Sequence, residues 1–154
     1  MLVTLLLLSV ISDVAIPAAP QAGNVPPTPT YDAALAKSVG ADDDGMRGFV
    51  FVLLKTGPTR VPDGTERDEM FKEHFANINR LADAGKLVLA GPFDGQQGWR
   101  GMFVLAVNDV EEARQLVATD PVIQKGEMVA EYHQYFASAA LMLVNGLHEK
   151  IDRP

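Results

Sequence analysis

Cysteine is absent from all 154 residues, and that omission removes several classes of chemistry. No disulfide, thiolate metal site, thiol nucleophile or cysteine-borne lipid anchor can be built. Basic residues are scarce as well: 13 Lys and Arg stand against 20 Asp and Glu, leaving a formal net charge of −7. Nucleic acids and anionic membrane surfaces are bound by clustered cations, so this balance argues against both as partners and leaves small molecules and other proteins. The glycines show neither GxGxxG nor phosphate-loop spacing, and the three histidines show neither HxH nor HExxH spacing. The expectation is therefore a protein without an organic cofactor or a bound metal.

Long hydrophobic runs are also missing. The longest at the N-terminus, Leu2–Ile11, is about half of what a membrane-spanning helix requires. It fits the apolar region of a secretory signal better, and an Ala-rich stretch follows it at Ala15–Gly23. Residues 1–23 are read as a signal peptide or apolar N-terminal segment. The chain is then expected to be exported, periplasmic or secreted, with no membrane contact in its mature form. If the segment is not a signal, the cytoplasm is the expected location. Residues 24–46 combine NVPPTPT with ADDDG. Such density of proline favours an extended, disordered linker, with a helical turn expected at Ala33–Lys37.

From residue 47 the pattern changes. GFVFVLLK at Gly48–Lys55 is β-branched and aromatic, and predicts a strand. A Gly- and Pro-containing loop follows, Thr56–Gly64, with Thr65 three residues ahead of Asp68 as a variant helix-opening pair. A helix is predicted from Asp68 to Ala84, with an apolar seam at Phe71, Phe75, Ile78, Leu81 and Ala82. Gly85 supplies its stop. Leu87–Phe93 and Gly101–Val107 predict two strands close enough to form an antiparallel hairpin, with Pro92 confined to a strand end or a sheet edge. Asp109 opens a second helix buried through Val110, Ala113, Leu116 and Val117, and Asp120-Pro121 ends it. Glu127–Phe136 is the last predicted strand, and residues 138–154 form a helical tail. The order β-α-β-β-α-β over residues 47–137 predicts an α+β, ferredoxin-like domain with two helices on one face of an antiparallel sheet.

The strands carry a second message. Phe49, Phe51 and Leu53 alternate with Val50, Val52 and Leu54, so the first strand is apolar on both faces; Met102 and Val104 alternate with Phe103, Leu105 and Val107 in the third. Two helices cover one face only. Leaving about five or six large apolar groups in water at roughly 1.5–3 kcal/mol each forgoes on the order of 10 kcal/mol of burial, comparable to the stability of a whole domain. A second copy of the same sheet, packed across a twofold axis, is the expected cover. The alternative is the chain's own tail, folding Leu141, Met142, Leu143 and Val144 back over the face.

HFANINRLADAGKLVLAGPF (His74–Phe93) and ATDPVIQKGEMVAEYH (Ala118–His133) resemble the YciI-like, or YCII-related, family. The most specific pieces are the helix histidine, AGP at Ala90–Pro92, EEA at Glu111–Ala113, and DP followed by Gly126. The resemblance spans most of Phe49–Phe136. It implies a ferredoxin-like protomer that pairs into a dimeric α+β barrel. It further implies a His–Asp pair at a cleft, here His74 and Asp120, as the catalytic residues. One relative is similar to a dehydrochlorinase acting on chlorinated hydroxyquinols, which requires proton abstraction from a small aromatic ring. Some relatives place a hydroxyl residue after the Gly that opens the third strand. Here Met102 follows Gly101, so a mechanism needing a serine there is not implied.

Read by residue type alone, His74 sits on or beside the buried seam, where a polar ring must find a partner. It is either a general base near neutral pH or a structural histidine bonded to backbone. Asp120 before Pro121 is a turn signal on its own; paired with His74 it becomes the group that fixes the imidazole tautomer. His133 shares one strand face with Glu131 and Tyr135, and Trp99-Arg100 lies in the hairpin, so His133, Trp99 and Arg100 are candidate ligand-binding residues. Two functions stay open: a cofactor-independent lyase or isomerase acting on a small molecule through the His–Asp pair, and a non-catalytic dimeric module that binds a small ligand or serves a structural role.

Overall fold

The structure is a computed structural model that describes residues 30–153. The segment expected to be a signal peptide, and most of the Pro-rich stretch after it, lie outside the described residues. Among the described residues no helix is long and apolar enough to cross a membrane.

The latter half of the expected linker is folded. Asp32 caps helix α1 (Ala33–Val39) by accepting from the Leu35 backbone N–H at 2.9 Å, and Gly40 closes it in the left-handed region at φ 68. The helix is two residues longer than the turn expected from sequence. The acidic ADDDG stretch forms a hydrogen-bonded bend in which the Asp42 carboxylate accepts from the Asp44 and Met46 backbone N–H groups. Disorder was expected from proline density and acidity. The prolines of this stretch end before Tyr31, and one of the three acidic side chains, Asp42, satisfies two local backbone donors.

Strand β1 (Met46–Thr56) is central, paired antiparallel with β3 (Trp99–Leu105) on one side and β4 (Met128–Ser138) on the other; β2 (Leu87–Pro92) pairs antiparallel with β3 at one edge. The sheet order β2-β3-β1-β4 is the ferredoxin-like arrangement expected from the element order. Pro92 ends the edge strand, where its missing N–H costs no ladder bond.

Helix α2 (Thr65–Asp83) begins three residues earlier than predicted. Gly64 occupies the cap position and makes no side-chain cap, so Thr65 is the first helical residue and caps nothing. Its C-terminus follows the expected rule, with Gly85 at φ 66 and its N–H bonded to the Ala82 carbonyl. The buried face is Met70, His74, Asn77 and Leu81. Phe75, expected in the seam, is 60% exposed, while Phe71 and Ile78 pack only at its margin. The apolar residues wrap far enough around this helix that periodicity admits more than one rotation about the axis. The rotation adopted buries two polar side chains.

Helix α3 (Val110–Val117) is capped by Asp109, which accepts from the Glu111 N–H at 3.0 Å. Glu112 does not close the reciprocal half of a capping box; it pairs with Lys86 at 2.8 Å. Asp120 does more than end the helix. It caps a further short helix, α4 (Pro121–Gln124), with Pro121 at its first position. Helices α2 and α3 pack with Val50, Val52, Leu54, Phe103 and Leu105 in the main core.

The opposite face holds a second, smaller core of Phe49, Val88, Val104 and Ala137. The chain's own tail, a 3-10 turn at Ala139–Leu143 followed by α5 (Val144–His148), lays Leu141 and Met142 against it. Asn145 secures the tail by donating to the Leu87 carbonyl at 2.7 Å. Self-coverage is therefore real but partial: Phe51, Leu89 and Met102 are half-buried, and Tyr135 remains 42% exposed.

Candidate active site

The buried polar face of α2 meets the corner between α3 and α4. His74 Nδ1 lies 2.9 and 2.8 Å from the two carboxylate oxygens of Asp120, although 46 residues separate them in sequence. Asp120 is fully buried and His74 nearly so. The carboxylate is held in turn: its Oδ1 accepts from the Val122 backbone N–H at 3.1 Å, a consequence of its position at the start of α4. One turn along α2, Asn77 Oδ1 accepts from Thr119 Oγ1 at 3.0 Å and from Arg80 Nη2 at 2.6 Å, fastening the helix to the same corner. The Asn77 Nδ2 group is buried without a partner among the described residues.

A carboxylate facing Nδ1 can only accept, so it selects the tautomer with hydrogen on Nδ1 and the lone pair on Nε2. Among the described residues Nε2 has no hydrogen-bond partner. The ring itself is fixed by aromatic contacts: Phe71 meets it edge-on at 6.1 Å, Phe75 lies tilted at 5.3 Å, and Phe103 stacks at 6.3 Å. His74 thus has its orientation set by packing and its tautomer set by a buried acid, which is how a general base is prepared.

His74 opens onto a cavity of about 370 Å³ between α2 and the sheet. Phe71, Phe75 and Ile78 line its helix side, and Leu54, Phe103 and Met128 its inner wall. The cavity exists because the sheet beneath carries small residues. Ala90 and Gly101 form the floor, and Gly101 has no room for more, since a Cβ there would lie 2.9 Å from the Gly91 carbonyl oxygen on the paired strand. Of the lining residues only His74 and Arg100 carry titratable side chains, and no hydroxyl side chain is present. Met102, which stands where some relatives have a hydroxyl, faces the other side of the sheet.

The structure brings together three of the five residues singled out from sequence. His74 and Asp120 are in contact, and Arg100 shares the cavity wall with His74. Trp99 does not line the cavity; it is 42% exposed and packs on Phe93 at 5.7 Å. His133 lies on the other face of the sheet, where it lines a separate hollow with Phe51, Leu89 and Met102. It pairs in register with Phe51, on the side turned away from the helices, so the sheet separates it from His74. Period-two alternation grouped it correctly with Glu131 and Tyr135, but does not say which face the helices cover.

Residues that sequence reasoning missed stand behind Arg100. Glu127 is buried, with Oε1 2.8 Å from Arg67 and Oε2 accepting from the Val61 backbone N–H at 2.8 Å. The hydrogen bond from Arg67 holds the Glu127 carboxyl below its ordinary range, outweighing the opposing effect of burial, and the Val61 N–H assists. The same contact raises the Arg67 guanidinium. The geometry depends on Gly57, whose N–H bonds the Glu127 carbonyl at 2.8 Å and whose Cβ, were there one, would fall on the Gly126 carbonyl oxygen. A lone acid at the start of a strand carries no local signal of such a role. For Asp120 a signal did exist, since Asp-Pro is also a helix cap followed by a first-turn proline.

Among the described residues no group of three or more His, Asp or Glu is placed to hold a metal ion. A family model described as the YCII-related domain matches residues 49–134, more than half of the chain. Among solved structures the chain is similar to a 5-chloro-2-hydroxyhydroquinone dehydrochlorinase from Burkholderia phenoliruptrix AC1100, in complex with 2,5-dihydroxybenzoquinone. The identity is 16%, the match covers 56% of this chain and 92% of that one, and the TM-score is 0.41. No curated protein matches the chain in sequence.

Proposed function

The chain belongs to the family of YCII-related domains, and from that premise we propose that it is a small-molecule enzyme of lyase or isomerase type in which His74 transfers a proton and Asp120 orients it. One observation carries this reading. A nearly buried imidazole, its Nδ1 clamped by a fully buried carboxylate, lines an apolar cavity large enough for a small ring. Asp120 accepts the Nδ1–H, leaving the Nε2 lone pair to take a proton from a carbon acid in the cavity. The resulting imidazolium is stabilised by the same carboxylate. The electron pair left on carbon expels a leaving group, completing an elimination, or is reprotonated at a neighbouring carbon by the imidazolium, completing an isomerisation.

Deuterium exchange tests this. A panel of cyclic ketones and phenols in D₂O is expected to include compounds whose ring C–H exchanges faster with the protein. His74→Asn should lower that rate by about 10²–10⁴-fold, the usual worth of a positioned base. Binding in the cavity with no exchange in any compound would instead favour the non-catalytic ligand-binding module.

We also infer that two copies pair through the sheet face opposite the helices. Half-buried Phe51, Leu89 and Met102 and exposed Tyr135 support this, because the tail covers only part of that face. Sedimentation equilibrium should give a dimer, and Phe51→Lys a monomer. A wild-type protein that sediments as one copy at micromolar concentration would rule the pairing out.

A further inference from the structure

The geometry points to a small organic anion as the ligand of this cavity, a ring or short apolar body whose carboxylate or phenolate oxygen is held by Arg100 while its reacting carbon faces His74. The inference rests on the proposal that the cavity is the site, and adds the chemical class of what enters it.

Arg100 would be unremarkable if it served only to neutralise Glu127. It does not make that bond: its Nη1 stands 3.6 Å from Glu127 Oε1, beyond hydrogen-bond distance. Both oxygens of Glu127 are already engaged, Oε1 by Arg67 at 2.8 Å and Oε2 by the Val61 N–H at 2.8 Å. Among the described residues the Arg100 guanidinium donates no hydrogen bond, so its five N–H groups are uncommitted. Glu127 is paired with Arg67 at 2.8 Å, so the Arg100 charge has no hydrogen-bonded counter-ion. That guanidinium sits on the wall of a cavity whose other lining residues, apart from His74, are apolar or glycine. On a chain with a net charge of −7, it is placed to bind one anionic group locally.

Partial burial strengthens the attraction. The Arg100 side chain is 25% exposed, and a carboxylate inside the cavity gives up water for a planar fork of donors that matches its two oxygens. His74 is paired with Asp120, which leaves Arg100 as the cavity-wall cation without a hydrogen-bonded partner. Recognition of charge and transfer of the proton therefore fall to different residues, which makes them separable by experiment.

Benzoate and benzamide have nearly the same size and shape and differ in charge, so they form the test, with binding followed at neutral pH by the amide NMR signals of Ala90, Gly101 and Phe103. Benzoate is expected to bind at least about tenfold tighter than benzamide. Arg100→Met should erase that preference, lowering benzoate affinity to that of benzamide, and Arg100→Lys should restore part of it. In His74→Asn the preference should persist. Equal affinities in the wild type, or a preference that survives in Arg100→Met, would overturn the inference while leaving proton transfer by His74 standing. If neither probe moves those signals, the cavity is not a ligand site and both readings fall together. Retained preference without deuterium exchange would support the anion site and reject the enzyme.

Discussion

One histidine lies against each face of the sheet, His74 from helix α2 and His133 from strand β4, and the two faces treat it differently. His74, under the helices, is nearly buried, clamped by Asp120 and boxed by three aromatic rings. His133, on the other face, is exposed, rests 6.2 Å from the Phe51 ring, and has no hydrogen-bond partner among the described residues. Its neighbour Glu131 is committed elsewhere, to Lys55 at 2.8 Å, and that bond keeps the Glu131 carboxyl below its ordinary value. Residue type is identical; what differs is a buried acid with its own backbone donor. A histidine becomes a prepared base where the surrounding structure fixes both its tautomer and its ring, and only the helix-covered face supplies that.

The contrast can be broken most forcefully at the clamp. Asp120→Ala removes a helix cap, worth about 1 kcal/mol, and leaves a buried imidazole nitrogen unpaired, at about 1–3 kcal/mol. Urea denaturation is expected to register a loss of roughly 2–4 kcal/mol; a loss too small to measure would mean the pair is not buried in solution. A second, pH-dependent effect belongs to Glu127. Its carboxyl lies below the ordinary value in the folded protein, so its contribution is complete above the unfolded carboxylate pKa, about 4.3. That contribution is lost as pH falls through the folded value. Glu127→Gln should be less stable than the wild type at pH 7, and the gap should close on acidification below about pH 4. A gap that stays constant from neutral to acid would contradict the assignment of Glu127 as a charged partner of Arg67. The smallest effect is expected on the far face, where His133→Ala should change stability by no more than about 0.5 kcal/mol. A larger loss there would show that the second histidine is also held, and the comparison would fail.

Much of this architecture is legible along the chain. Strand β1 shows in GFVFVLLK, the stop of α2 in Gly85, the edge position of β2 in Pro92, and the cap of α3 in Asp109. Each is a local preference of a few residues, and tertiary packing agrees with it. The linker reads less well: the prolines of residues 24–30 make 24–46 resemble a tether with one helical turn, whereas Asp32 caps a seven-residue helix, α1. The seam of α2 is the instructive failure. The expected stripe of Phe71, Phe75, Ile78, Leu81 and Ala82 shares Leu81 with the adopted one, Met70, His74, Asn77 and Leu81, and one residue of rotation, about 100°, separates the rest. Hydrophobicity favours the first stripe. The second is adopted because Asn77 and His74 find Thr119 and Asp120 across the interface, and a buried polar group with a partner costs little.

The sequence by itself determined the order of elements, the antiparallel α+β class and the apolar character of both sheet faces, because these follow from periodicity and turn chemistry within short windows. The resemblance pointed to the His74–Asp120 pair, but tertiary structure decided the contact itself, which of the candidate ligand residues reaches the same cavity, and how much of the far face the tail covers. Those outcomes depend on groups dozens of residues apart meeting at hydrogen-bond distance, and no local pattern encodes a helix's rotation about its own axis.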